Sequence, residues 1–74
     1  MDIQNLVKMA NQIGDFFEAM PDRSQALQDI AAHIKRSWDP RMRKEIFKYL
    51  DEQGGRDLKE IVREALQTNR SAIV

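Results

Sequence analysis

Ile34-Lys35-Arg36-Ser37-Trp38-Asp39-Pro40-Arg41-Met42-Arg43, near the middle of a 74-residue chain, decides how the helices are arranged. This stretch holds the only tryptophan, one of the two prolines and four of the twelve basic residues. Asp39 followed by Pro40 reads as a helix start. The aspartate accepts from first-turn amides that have no partner inside the helix, and proline at the first helical position lacks only a donor the helix does not use. Proline also pushes Asp39 out of the α region, so the preceding helix must end near Trp38. Trp38, Asp39 and Pro40 are therefore expected to form a structural corner between two helices, with the indole packed near Ile34 and Met42.

Working outward, the apolar residues between Asp2 and Met20 recur with a helical period: Ile3, Leu6, Val7, Ala10, Ile13 and Phe17 are joined by Met9, Phe16 and Met20. They fill roughly half of the helix circumference at about 100° per residue, with Met9 and Phe16 on one flank and Val7 on the other. That arc is wider than one helix pair needs. Gly14 lies inside it and lets another backbone approach. Gln4, Lys8, Asn11, Gln12, Asp15 and Glu18 form the opposite face, read as solvated. Pro21 stops this helix, and Asp22 with Gln25 has the spacing of a capping box for a second, whose narrower stripe runs through Ala26, Leu27, Ile30, Ala31, Ile34 and Trp38. His33, at the edge of that stripe, reads as a half-exposed structural histidine.

After the corner, Met42, Ile46, Phe47, Tyr49 and Leu50 give a third helix its apolar face, while Arg41, Lys44 and Lys48 share the opposite one. Arg43 falls within the apolar arc, so its stem should pack while its guanidinium finds a carboxylate, a carbonyl or a partner group. Gly54-Gly55 ends this helix. Asp57 and Glu60 repeat the capping-box spacing and are expected to open a fourth helix carrying Leu58, Ile61, Val62, Ala65 and Leu66. Residues 68–74 lose the period and read as a frayed tail, although Ile73 and Val74 are apolar. The fold class is all-α: one helical domain over residues 1–74, a small bundle of about four short helices joined by tight turns.

Composition excludes most chemistry. The chain has no cysteine and one histidine, so thiolate metal sites, disulfides and imidazole-rich centres are excluded. No strand pattern precedes the glycine pair, which removes a phosphate-cradling loop. The hydroxyls of Ser24, Ser37, Thr68, Ser71 and Tyr49 have no supporting base, and Asp51-Glu52 reads as solvated charge at a helix end. The reading is a non-enzyme without cofactor or metal. Twelve acidic and twelve basic residues balance to zero, which supplies no global pull towards nucleic acid or an anionic membrane. The opening Met1-Asp2-Ile3-Gln4-Asn5 has no basic leader, and no apolar run approaches the ~20 residues of a membrane span, so a soluble, cytoplasmic chain is expected.

Two binding roles fit. One is an adaptor that lays a Met and Phe face on a larger protein, with Met9, Ile13, Phe16, Met20, Arg36, Arg41 and Arg43 as candidate partner-binding residues; the isolated chain would be free to self-associate through the same face. The alternative is a nucleic-acid binder using Lys35, Arg36, Arg41, Arg43, Lys44 and Lys48, a segment whose net charge is +4 once Asp39 and Glu45 are counted. A partner-facing charge patch fits better, because the remaining chain is acidic by the same amount.

Leu6-Val7-Lys8-Met9-Ala10-Asn11-Gln12-Ile13, Phe16-Phe17, Pro21-Asp22, His33 to Arg43 and Ile61-Val62-Arg63-Glu64-Ala65-Leu66 together resemble the delta subunit of NAD-dependent, molybdenum- or tungsten-containing formate dehydrogenases. The Met-Ala-Asn-Gln-Ile segment and the Trp-Asp-Pro-Arg-Met-Arg corner are the specific blocks. The family pattern carries an aromatic before the tryptophan, where this chain has Ser37. The resemblance implies a cofactor-free accessory chain that assembles or stabilises a complex whose larger subunits hold the bis-pterin metal cofactor, iron–sulfur clusters and flavin and bind NAD.

Overall fold

Three aspartates set the first three helix starts. The computed structural model describes residues 2–74. Asp2 accepts from the Gln4 amide (3.0 Å) and opens α1, Ile3–Glu18. Asp22 accepts from the Gln25 amide (3.2 Å) and opens α2, Arg23–Ser37. Asp39 accepts from the Met42 amide (3.0 Å) and opens α3, Pro40–Gln53. Each carboxylate gives a partner to an N–H that the helix itself leaves unpaired. Gly54 and Gly55 end α3 in the left-handed region, at φ 76° and 66°, where a side chain would be strained. Helices α4, Glu60–Thr68, and α5, Arg70–Ile73, complete five helices with no strand among the described residues, so the fold is all-α. Among those residues no helix is long and apolar enough to cross a membrane.

The start of α4 departs from the sequence reading. Asp57 does not cap it; the chain turns through buried Leu58, and α4 begins at Glu60 with Lys59 in the cap position and no side-chain cap of its own. The cap comes from α1. Asn11 Oδ1 accepts from the Lys59 amide (2.8 Å), while Asn11 Nδ2 donates to the Asp57 carbonyl (3.0 Å). The Asp57 amide in turn donates to the Tyr49 hydroxyl (3.1 Å). The Lys59 ammonium bridges Asp15 and Glu18, at 2.8 Å from the latter. Asn11, Asp15 and Glu18 therefore hold the turn before α4, and the face that carries them is only partly a solvated one.

The tail is also corrected. Residues 68–74 are not frayed: Arg70–Ile73 form a helical turn that buries Ile73 to 1% exposure. Arg70 forks onto Asp51 with contacts of 2.8 and 2.6 Å, and its guanidinium lies 4.8 Å from the centre of the Phe47 ring. Hydrogen bonding from Arg70 holds the Asp51 carboxyl below its ordinary range, so Asp51 is the acceptor of a clasp, not merely solvated charge.

Ile30, Ile34, Ile46, Val62, Leu66 and Ile73 are the largest fully buried side chains, and they come from every helix except α1. From α1 the core takes Leu6, Val7, Ala10 and Gly14. Helix α1 packs on α2, α3 and α4; α2 meets α1, α4 and α5, so the two helices share the central place. The radius of gyration is 11.0 Å, matching the ~11 Å of a folded chain this long. The core closes without a partner.

Gly14 marks a close approach of α1 and α4: a Cβ there would overlap Val62 Cγ2, on a stiff, fully buried side chain. Helix propensity alone would make Gly14→Ala stabilising by about 1 kcal/mol. Overpacking against a β-branched neighbour reverses the sign, and urea unfolding of the variant should show a loss of about 1–3 kcal/mol. A gain would mean that the two helices separate at little cost.

Candidate functional site

Helix α1, the end of α2 and the start of α3 enclose an open, mostly apolar groove of about 490 Å³. Its α1 wall contains Met9, Ile13 and Phe16, three of the four apolar residues that the sequence singles out for a partner. The fourth, Met20, is half-buried against the core and lies outside the groove. Phe16 is 76% exposed and Met9 38% exposed, both large apolar side chains on one flank of α1. Ile13 sits deeper, packed on the core. The wide apolar arc is thus divided lengthwise: its inner part closes the fold, and its outer flank stays in water.

Aromatic stacking shapes the floor. Phe17 meets Phe16 edge-on, with ring centres 5.0 Å apart and an interplanar angle of 88°, and reaches His33 of α2 at 6.3 Å. Trp38 and Met42 supply the far wall. Trp38 is only 3% exposed, so the groove meets an edge of a ring that otherwise belongs to the core. Phe17, from the same apolar arc, lines the groove too, and so do Gln12, His33, Ser37 and Met42, which the sequence gave no reason to group with it. Packing of α2 on α1 brings in His33 and Ser37, and the corner carries Met42 at the start of α3 to the same place.

The corner is closed from both sides. The Trp38 amide donates to the Ile34 carbonyl (2.9 Å), ending α2. Arg43 Nη1 donates to the carbonyls of Trp38 (2.7 Å) and Lys35 (3.2 Å), satisfying acceptors that the end of α2 leaves open. A cation at a helix C-terminus is also favoured by the aligned peptide dipoles. Of the partners its place in the apolar arc allowed, a carboxylate, a carbonyl or a partner group, Arg43 takes carbonyls of its own chain. Arg36 and Arg41 are exposed and take no part in an ion pair among the described residues.

The basic segment 35–48 does not act as one patch. Lys35 donates to the Ile73 carbonyl (3.5 Å), Arg43 is held at the corner, and Lys44 and Lys48 line a separate cleft with Phe47 and Asp51 near the tail. Among the described residues no group of three or more His, Cys, Asp or Glu side chains converges as a metal site would require.

Removing the indole should empty the corner. Trp38→Ala is expected to cost about 3–5 kcal/mol, as for large core truncations. That is comparable to the whole stability of so small a domain, so the isolated variant should lose cooperative melting by circular dichroism. Retained melting together with failure to join a partner would make Trp38 a docking residue instead.

A family model described as NADH-dependent formate dehydrogenase delta subunit FdsD matches residues 5–66 of the chain. No curated protein and no solved structure matches it significantly.

Proposed function

The chain belongs to the family of NADH-dependent formate dehydrogenase delta subunits, and from that premise we propose that it is a non-catalytic accessory subunit that assembles or stabilises a cytoplasmic formate dehydrogenase complex. Larger subunits of the complex are its partners, and the exposed flank of α1 with the groove beside it is the face laid on one of them. The observation that carries this reading is Phe16, three-quarters exposed in a chain whose own core is closed. A large aromatic left in water beside an apolar groove has the composition of an interface centre. Support for a chain without cofactor comes from its residue types, with no cysteine and a single histidine, half-buried against Phe17.

Polar replacements on the exposed flank separate docking from folding. Met9→Gln and Phe16→Ser should leave the melting temperature of the isolated chain nearly unchanged, while each lowers co-purification with the larger subunits by about tenfold or more, the loss of a hot-spot contact. If both variants instead unfold the isolated chain, the flank belongs to its core and the docking face lies elsewhere.

A further inference from the structure

Among the described residues, no Lys, Arg, Asp or Glu lines the groove; apart from Gln12, Ser37 and His33 its lining is apolar. The chain's one histidine is therefore the one group there that changes charge near neutral pH. His33 is half-buried, reaches the Phe17 ring at 6.3 Å and forms no ion pair among the described residues.

The elements around His33 bring it no counter-charge. From α1 the groove takes only uncharged residues, Gln12, Phe16 and Phe17 among them, and the α1 carboxylates Asp15 and Glu18 are bound to Lys59 at the turn before α4. The start of α3 contributes Met42. Helices α4 and α5 meet α2 elsewhere: Glu64 of α4 pairs with Arg23, and α5 lies along Ala31 and Lys35. On α2 itself the charged residues about one turn away are Asp29 and Arg36, of opposite sign, and Asp29 accepts from Gln25 Nε2 (3.0 Å). An occupant that brought a charge into this lining would have it covered without an ion-pair partner, which is costly. An uncharged one fits.

We propose that the groove takes an uncharged, apolar segment of a larger subunit, and takes it well only while position 33 is uncharged, so that protonation of His33 weakens docking. This rests on the docking role proposed above and adds its regulation. Covering an imidazolium with apolar surface removes a charge from water, a penalty that the neutral ring does not bear. Docking and protonation therefore compete. The bound state favours the neutral ring, so docking is complete above the range in which imidazole titrates and declines as the pH falls through it, by at most about tenfold per pH unit for one proton.

The test measures binding of the separately purified chain to the larger subunits of the complex on a biosensor, from about pH 8 to about pH 5.5, the range in which imidazole changes charge. The wild type should bind about fivefold or more weakly at the acid end. His33→Gln, which takes up no proton, should match the wild type at the alkaline end and lose less on acidification, so that groups titrating on the other subunits are subtracted. Circular dichroism melting of both chains at each pH should show the fold intact. Equal pH dependence in the two chains, a folded His33→Gln chain that does not bind at the alkaline end, or loss of the wild-type fold at the acid end overturns the proposal. Wild-type binding that tightens on acidification, while that of His33→Gln does not, would set a carboxylate against the imidazolium and overturn the uncharged occupant. A dimer of the isolated chain with the same pH response, seen by sedimentation, would give the groove to a second copy and overturn it too. If Phe16→Ser releases the chain while wild type and His33→Gln respond alike to pH, docking stands and the proton gate is wrong. Normal binding by Phe16→Ser with that same equality sinks both readings.

Discussion

The rest of the molecule depends on the closure of the corner at Trp38. A tight turn between two helices places the open carbonyls of one beside the open amides of the next, next to an apolar ring. Buried polar groups without partners would make that arrangement costly. Asp39 answers the amides of α3, and the Arg43 guanidinium answers the carbonyls of Lys35 and Trp38. One chain segment thus supplies both caps. Met42 and the Trp38 edge are then carried to the flank of α1, so the groove is a by-product of ending α2 and starting α3 within three residues.

Helix α1 carries two obligations on one surface. Ala10 is fully buried and Gly14 admits α4 close to the inner face. That close approach leaves the remaining apolar residues without room inside. Met9 and Phe16 are displaced to the outer flank by geometry, since no helix of this chain covers them. Fold and groove are therefore coupled: widening the inner contact would shift α4, and the turn pinned by Asn11 and Lys59 would move with it.

What could be read from the sequence was what is encoded within about one helical turn. The Asp22 and Asp39 starts, the Gly54 end and the apolar stripes are signals between residues at most four apart, and the helices follow them. The errors share the opposite property. Asn11 caps a turn 48 positions away, Arg70 clasps Asp51 19 positions away, and Lys35 reaches the Ile73 carbonyl 38 positions away. Asp57 had the correct local spacing for a cap and lost the role to a side chain that approaches from another helix. The groove was legible only in part: the over-wide arc exposed Met9, Ile13 and Phe16, whereas His33, Ser37 and Met42 join them through tertiary packing.

Net charge misleads for a related reason. Counting gives zero, yet Asp2, Asp22 and Asp39 lie against helix amides and Asp15, Glu18, Asp51 and Glu64 lie against cations of the same chain. Seven of the twelve carboxylates are thereby occupied by the fold itself. Helix capping consumes acids because only an acceptor can satisfy an N–H, so a chain of short helices needs acidic side chains at its starts whatever its surface does. The basic residues have no equivalent demand except at helix ends, where Arg43 meets it at the corner and Lys35 at the Ile73 carbonyl. Capping leaves the charge of these carboxylates in place, so the number of helix starts decides where part of the chain's negative charge sits, not how much of it there is.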